Sequence, residues 1–219
     1  MTSTAPGRPT CIKTLWQALC DDFGCYVLVV DGEGQLHFLN EAGAHWLGIT
    51  SAAAGGCSLA GVLPYQVANE RVEHVRRVLR TGQPLVVDGI IRGEGLRAVL
   101  RPLQEEQPPA LRVLMVSRPL ASLGADSGQH LPGELIQARE NDLGPLTHLT
   151  PREIDVLTLI ASGLTTTEIA RRLNRSVKTV QWHRASLGNK LRVKNRVELT
   201  LIALRAGFVL REGTMSGQD

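Results

Sequence analysis

The stretch LTPREIDVLTLIASGLTTTEIARRLNRSVKTVQWHRASLGNKLRVKNRVELTLIALRAGF, residues 149–208, decides the fold of the carboxyl-terminal part of this chain. Four residues in it are of the kind that cap a helix: Thr150, Thr165, Ser176 and Asn195. Each threonine is followed three residues later by a glutamate, which is the pattern of a capping box. The spacing predicts four short helices, with Gly163 and Gly207 ending the first and the last.

Apolar residues recur at helical spacing in all four segments. In the third segment one face carries Val177, Val180, Leu187 and Leu191, and the opposite face carries Lys178, Gln181, Trp182, Ala185 and Asn189. Only residues 174 and 175 separate the second helix from the third, which is the tight joint of a helix-turn-helix. Because an α-helix fits the major groove of B-DNA, the polar face of the third helix predicts base contacts, with Gln181 suited to adenine.

Charge is divided unevenly along the chain. Residues 147–212 contain 12 Lys and Arg against 5 Asp and Glu, a balance of +7, whereas the remainder has 12 against 16, a balance of −4. No acidic residue occurs from 169 to 197. This acid-free window contains nine basic residues: Arg171, Arg172, Arg175, Lys178, Arg184, Lys190, Arg192, Lys194 and Arg196. A compact basic module favours a polyanion-binding domain, the alternative being a solvated charged face.

Basic side chains in this window are the candidates for phosphate contacts, which position a protein on DNA without reading its sequence. We expect such contacts from Arg171, Arg172, Arg175, Lys178, Arg184 and Lys190. Ser176 and Thr179 lie at the start of the third helix, where hydroxyls and backbone amides also bind anions.

Several motifs of this region together resemble a LuxR-type helix-turn-helix domain: the opening LTPRE, the GLTTTEIA run, the S-x-x-TV-x-x-H segment and the closing NRVEL. The resemblance implies that the third helix enters the major groove and presents Gln181, Trp182 and Ala185 to the bases. Trp182 and Ala185 depart from the family's usual residues, which concerns the DNA sequence that is recognised and not DNA binding itself. The family's fourth helix commonly forms a two-fold dimer interface, for which the candidates here are Leu199, Ile202 and Ala203.

The amino-terminal part alternates between strand and helix patterns. Strands are predicted at 26–30, 35–39, 84–91, 96–103 and 111–117, and helices at 11–19, 41–47 and 69–80. The stretch DGEGQLHFLNEAGAHWLGI, residues 31–49, resembles a PAS domain. The expected fold is an α+β PAS-like domain over 11–119, an antiparallel sheet with helices. A linker over 120–146, with a short helix at 134–141, precedes an all-α four-helix helix-turn-helix domain over 147–212.

Composition limits the classes of protein that fit. Of 219 residues, 43% are hydrophobic, which excludes whole-chain disorder. The apolar runs are too short for a transmembrane helix, and residues 1–10 lack the apolar centre of a signal peptide. Four cysteines without Cys-x-x-Cys spacing indicate neither a disulfide framework nor a zinc site. We therefore expect a cytoplasmic protein that needs no metal and no cofactor.

These observations predict a sequence-specific DNA-binding transcriptional regulator whose PAS-like domain senses a signal or mediates dimerisation. Its expected partners are double-stranded DNA and a second copy of the chain, with RNA polymerase and an unidentified small-molecule or protein signal as further candidates. The alternative is a signalling adaptor acting through protein contacts. A third interpretation, an enzyme or a haem or flavin sensor, depends on His74 or Cys57, whose sequence contexts do not match known haem or flavin motifs.

Overall fold

The computed structural model describes residues 24–103, 111–123 and 131–208. They form two compact units, of which the first comprises the described residues up to 86 together with 98–118 and 132–134. The second unit comprises 87–97, the described part of 119–131, and 135–208. The helix predicted at 11–19 lies outside the described residues. No helix within these ranges has the length and apolar content needed to span a lipid bilayer.

Within the described ranges, six strands form one sheet in the order β2-β1-β5-β4-β3-β6. Their bounds are β1 Tyr26–Asp31, β2 Leu36–Leu39, β3 Leu85–Ile91, β4 Glu94–Leu103, β5 Arg112–Pro119 and β6 Glu134–Gln137. Strand β1 pairs antiparallel with β2 and with β5, and Leu28 lies opposite Leu39 on one side and Met115 on the other. The five strands predicted from the sequence are therefore confirmed, and the first two form an antiparallel hairpin.

Seven α-helices occur in the same described part of the chain: α1 Glu41–Leu47, α2 Leu59–Val62, α3 Tyr65–Thr81, α4 Pro151–Ala161, α5 Thr166–Arg172, α6 Val177–Leu191 and α7 Arg196–Arg205. Short 3-10 helices lie at Ser51–Gly56, Leu120–Ser122 and Gly144–His148. Helix α3 begins four residues before the predicted 69, because the apolar stripe continues backward through the buried Val67 and Ala68. The sheet with helices followed by a helical region confirms the predicted fold class.

Asn40 ties the first hairpin of the sheet to helix α1. Its buried side chain accepts hydrogen bonds from the backbone N–H groups of Val27 at 3.0 Å and Gly43 at 2.9 Å, and donates to the Cys25 carbonyl at 2.9 Å. Asn40 is thus the N-cap of α1, and its side chain also hydrogen-bonds the backbone at the start of β1. The asparagine in the PAS-like stretch therefore has a structural role in the hairpin.

Helix α3 packs on the turn between β1 and β2. The Arg76 guanidinium donates a 2.7 Å hydrogen bond to the Gly32 carbonyl. Gly34 has a φ of +84°, and a Cβ there would lie 2.7 Å from a methyl carbon of Val72, so only glycine fits this turn. On the same helix His74 is buried, with Nε2 3.8 Å from the Glu70 carboxylate. The side chain of His74 therefore belongs to the packed interior of the first unit.

The segment 134–141 is not the predicted helix. Residues 134–137 form β6, which pairs beside β3, and the chain then stays attached to β3 through hydrogen bonds from Ala138 N to Asp88 O at 2.7 Å and from Asp142 N to Ile90 O at 2.9 Å. The backbone hydrogen bonds available at a sheet edge outweigh the weak helical pattern of this segment. Part of the proposed linker is therefore regular structure.

Helices α4 to α7 share one aliphatic core. Its fully buried members come from every one of these helices, and Leu146 and Leu149 join it from the chain just before α4. The core residues are Leu146, Leu149, Val156, Leu157, Leu159, Ile160, Ile169, Ala170, Val180, Leu187, Leu199, Ala203 and Ala206. This core contains no aromatic residue, in keeping with a chain that has only 4% aromatic residues.

Replacing Asn40 should destabilise the sheet unit. Asn40→Ala leaves buried backbone groups of Val27 and Cys25 without their side-chain partner, and we expect the free energy of unfolding to fall by about 2–3 kcal/mol. Asn69→Ala is the matched control, because Asn69 is an exposed asparagine on α3. Urea denaturation measures both, and equal losses in the two variants would contradict this account of the cap.

Candidate nucleic-acid interface

Side-chain caps fix the start of each helix in the helix-turn-helix. Thr165 accepts a hydrogen bond from the Glu168 backbone N–H at 3.3 Å, and the Glu168 carboxylate accepts one from the Thr165 N–H at 2.6 Å. The pKa of Glu168 is lowered by the hydrogen bonds that its carboxylate accepts from the Thr165 hydroxyl, at 2.7 Å, and from the Thr165 N–H. Ser176 caps α6 by accepting from the Thr179 N–H at 3.0 Å. The capping box and the serine cap predicted from the sequence are thus present.

Four residues, 173–176, separate α5 from α6, two more than predicted, because Leu173 and Ser176 serve as the caps of the two helices. Asn174 has a φ of +51°, a left-handed conformation that asparagine tolerates better than most residues. The Arg175 N–H then reaches back to the Ala170 carbonyl at 2.9 Å. Together these features reverse the chain and orient α6 across α5.

Helix α6 has one buried face and one exposed face. Val180 and Leu187 are completely buried in the helical core, and Leu191 packs partly buried against it. Val177, predicted on the same face, is instead 40% exposed, because it lies in the first turn of the helix, beyond the core. The exposed face carries the predicted set Lys178, Gln181, Trp182, Ala185 and Asn189. Trp182 is 65% exposed, which makes it one of the large apolar side chains in the described residues that the fold leaves in water. The residues expected to face DNA bases therefore lie together on one accessible surface, which we call the reading face.

Exposed cations surround the reading face. Arg171, Arg172 and Arg175 are exposed in α5 and the turn, and Lys178 is exposed in the first turn of α6. At the same end of α6 the hydroxyl oxygens of Ser176 and Thr179 lie 2.8 Å apart and share a hydrogen bond. Arg192 and Lys194 are also exposed, after α6 ends. Six of the nine basic residues in the acid-free window are therefore free to meet an anionic surface.

The other three basic residues of the window have partners inside the unit. Lys190 donates to the Glu153 carboxylate at 2.7 Å, Arg184 to the Thr166 hydroxyl at 2.8 Å, and Arg196 to the Leu164 carbonyl at 2.8 Å. The sequence predicts that Lys190 and Arg184 bind phosphate. In the structure both side chains contact other parts of the helical region and help to hold α6 in place, so the phosphate contacts proposed below are assigned to the other exposed cations.

Glu153 links the start of α4 to α6. Its buried carboxylate accepts hydrogen bonds from the Thr150 N–H at 2.8 Å, the Ser186 hydroxyl at 2.7 Å and the Lys190 ammonium. Burial alone would raise the pKa of Glu153, but these hydrogen bonds outweigh burial and lower the pKa to about 2. The sequence identified Glu153 only as a capping residue; its longer-range contacts with α6 could not be read from the local pattern.

The structure buries two of the three residues that the sequence predicts for dimerisation. Leu199 and Ala203 are buried in the core of the helical unit, and Ile202 is half-buried against that core. The side chains that α7 exposes are Val197 and Leu201, which the sequence reasoning left out. An apolar stripe read from the sequence does not show which of its residues face the core of the same chain and which face outward.

Comparison with known families agrees with this geometry. Residues 147–203 match the family model described as bacterial regulatory proteins of the luxR family, and residues 20–122 match the model of the PAS fold. These matches confirm the predicted LuxR-type domain and the PAS-like fold that precedes it. Within the described residues, no group of three or more His, Cys, Asp or Glu side chains is arranged to hold a metal ion.

Individual relatives match over part of the chain. The chain is 32% identical to the response regulator UvrY of Escherichia coli over 96 residues, which are 44% of this chain and 43% of UvrY. It is 41% identical to the oxygen regulatory protein NreC of Staphylococcus aureus over 69 residues, 32% of each chain. The chain thus spans less than half the length of these curated relatives.

A solved structure has a similar fold. The VqmA–ligand–DNA complex of Vibrio cholerae shares 20% sequence identity with this chain, covers 91% of each chain and has a TM-score of 0.50. At 20% identity this similarity shows a shared fold and nothing more.

Glu153→Gln should weaken the helical unit. The amide keeps the shape of the side chain but loses the charge opposite Lys190, and we expect the free energy of unfolding at pH 7 to fall by about 2–3 kcal/mol. Because the native pKa lies near 2 and the ordinary value is 4.5, the carboxylate's contribution is complete above 4.5 and disappears as pH falls toward 2. The wild-type advantage over the variant should shrink across that range, as measured by hydrogen exchange of the α6 amides.

Glu168→Gln is the matched control for this experiment. Glu168 occupies the same position in a capping box, but it is exposed and makes no hydrogen bond to α6 in the described structure. We expect a smaller loss of stability and a weaker dependence on pH. An equal response in both variants would show that the contact with α6 contributes nothing.

Proposed function

We propose that this chain is a sequence-specific DNA-binding transcriptional regulator, in which the PAS fold receives a signal or mediates dimerisation. The observation that carries the proposal is the reading face of α6, an exposed surface with amide and apolar side chains surrounded by free cations. In DNA-binding proteins cations on phosphates supply affinity, and side chains in the groove supply sequence preference. The reading face combines both kinds of group on a rigid helix.

We assign the contacts with DNA to side chains that the structure leaves exposed or at the start of α6. Gln181, Trp182 and Ala185 face the bases, while Arg171, Arg172, Arg175 and Lys178 lie against phosphates. Ser176 and Thr179 add contacts at the start of α6, where backbone N–H groups point outward and the helix dipole favours an anion.

The partners follow from the same surfaces. A second copy of the chain, docked through Val197 and Leu201 of α7, places two reading faces on half-sites about one helical turn apart. VqmA, which resembles this chain in fold, forms a complex with a ligand and DNA. Here the corresponding ligand is an unidentified signal at the PAS fold, and RNA polymerase is a further proposed partner.

The chain acts in this proposal by binding rather than by catalysis, in the cytoplasm where bacterial DNA lies. A signal changes DNA affinity only if it binds two arrangements of the protein with different affinities. The alternative, an adaptor that acts mainly through protein contacts, leaves the six exposed cations around the reading face without a stated partner.

Two substitutions on the reading face should have different effects. Gln181→Ala removes a hydrogen-bonding group that faces a base, and we expect the sequence preference at one position of each half-site to relax, with a loss of about 1–3 kcal/mol on the best site. Lys178→Ala should weaken binding to all duplexes alike and reduce the slope of log affinity against log salt by about 1. Binding to selected and random duplexes at several salt concentrations measures both.

Lys190→Ala is a useful third variant in the same assay. Lys190 donates a hydrogen bond to Glu153, so its removal should lower the stability of the fold. The slope of log affinity against log salt should stay unchanged for the folded protein. Identical behaviour of Gln181→Ala and Lys178→Ala would refute the assignment of base and phosphate contacts. A wild-type affinity that does not respond to salt would favour the adaptor.

Leu201→Asp should disrupt pairing of two chains on DNA. Leu201 is exposed, so the charge leaves the core intact but places a carboxylate in the proposed apolar contact. We expect binding to paired half-sites to lose its cooperativity, while binding to a single half-site stays the same. Leu111→Asp, at an exposed leucine of the first unit, is the control. Unchanged cooperativity in Leu201→Asp would rule out α7 as the contact.

A further inference from the structure

Trp182 is a costly residue to leave in water. An indole is among the largest apolar groups in proteins, and that of Trp182 is 65% exposed on a helix whose Val180 and Leu187 are completely buried. Its ring lies edge-on to His183, with centroids 5.1 Å apart and planes at 72°. One edge of the indole is therefore held by the protein, and the rest is available to a partner.

The neighbours of Trp182 indicate what that partner is. Lys178 lies one turn before it on the same face, and Ala185 lies nearly one turn after it. Gln181 precedes it directly, and all of these side chains are exposed. The exposed charges nearby are cationic, with no carboxylate in the acid-free window, so the surface around the indole complements a polyanion.

The proposed function places this face in the major groove, and the chemistry of the base edges then limits what an indole can contact. Guanine presents two acceptors and cytosine a donor, whereas thymine presents an apolar C5-methyl group beside its O4 acceptor. An indole has a large apolar surface and a single N–H donor, so it cannot form a bidentate pair with guanine. The thymine methyl is the group in the groove that an apolar ring buries without leaving a polar group unsatisfied.

We propose that Trp182 reads a thymine C5-methyl group in each half-site, an inference that rests on the proposed function. Gln181 is suited to the N6 and N7 groups of an adenine alongside. The reading face thus recognises A·T pairs through one apolar contact and one amide contact. The flanking cations supply the affinity that the uncharged indole does not.

Replacing thymine by uracil tests this assignment, because uracil lacks only the methyl group. The full-length protein first selects duplexes from a random pool, and each thymine of the enriched half-site is then changed singly to deoxyuridine. We expect one position per half-site at which affinity falls about fourfold, the effect of losing one buried methylene-sized group. In Trp182→Ala, the same duplex should bind as well with uracil as with thymine at that position.

Tyr65→Ala is the matched control, since Tyr65 is an exposed aromatic residue at the start of α3 and should leave the uracil effect unchanged. An enriched site that tolerates uracil at every thymine, or that contains no thymine, would overturn the role of Trp182 while leaving sequence-specific binding intact. So would an equal uracil effect in wild type and Trp182→Ala. A pool in which no sequence is enriched would instead contradict the proposed function itself, and this inference with it.

Discussion

The position of the reading face depends on a single buried carboxylate. Glu153 begins as the capping residue of α4, but its side chain continues to the Ser186 hydroxyl and the Lys190 ammonium on α6. A charge in an apolar core is tolerated only when its lone pairs are occupied, and here hydrogen bonds from two helices occupy them. The pKa of about 2 shows that the charged form is the one the fold stabilises. The same contacts that make the charge tolerable fix where α6 lies relative to α4.

This arrangement explains why basic residues in one window have two different roles. Lys190, Arg184 and Arg196 have acceptors within the unit, a carboxylate, a hydroxyl and a carbonyl. The other six cations of the window are exposed. Net charge therefore overestimates the number of groups that can meet phosphate. The distinction matters because structural cations change stability when removed, whereas exposed cations change affinity and its dependence on salt.

The sequence was most informative where structure is set by near neighbours. The caps at Thr150, Thr165 and Ser176 and the two faces of α6 follow from residues within a few positions of each other, and all are present except that Val177 lies outside the buried face. The sequence was least informative where contacts between residues far apart in the chain determine the structure. Strand β6 forms because the edge of β3 offers it backbone partners, and Leu199 is core because α4 packs on that side of α7. Neither partner can be recognised from the local pattern of the segment it stabilises.

Rigidity of the reading helix limits how a signal can act on it. Helix α6 is held at its start by the Ser176 cap, in its middle by Arg184 on Thr166, and near its end by Lys190 on Glu153. Bending or sliding α6 alone would break these hydrogen bonds, of which those of Arg184 and Lys190 are part-buried and have a charged donor. Under the proposed function, a signal at the PAS fold therefore acts by shifting the helical domains of two copies relative to each other, with the reading face unchanged. In such a mechanism, sequence preference stays constant while the affinity for paired half-sites varies, because the spacing of two reading faces is then the quantity that the signal controls.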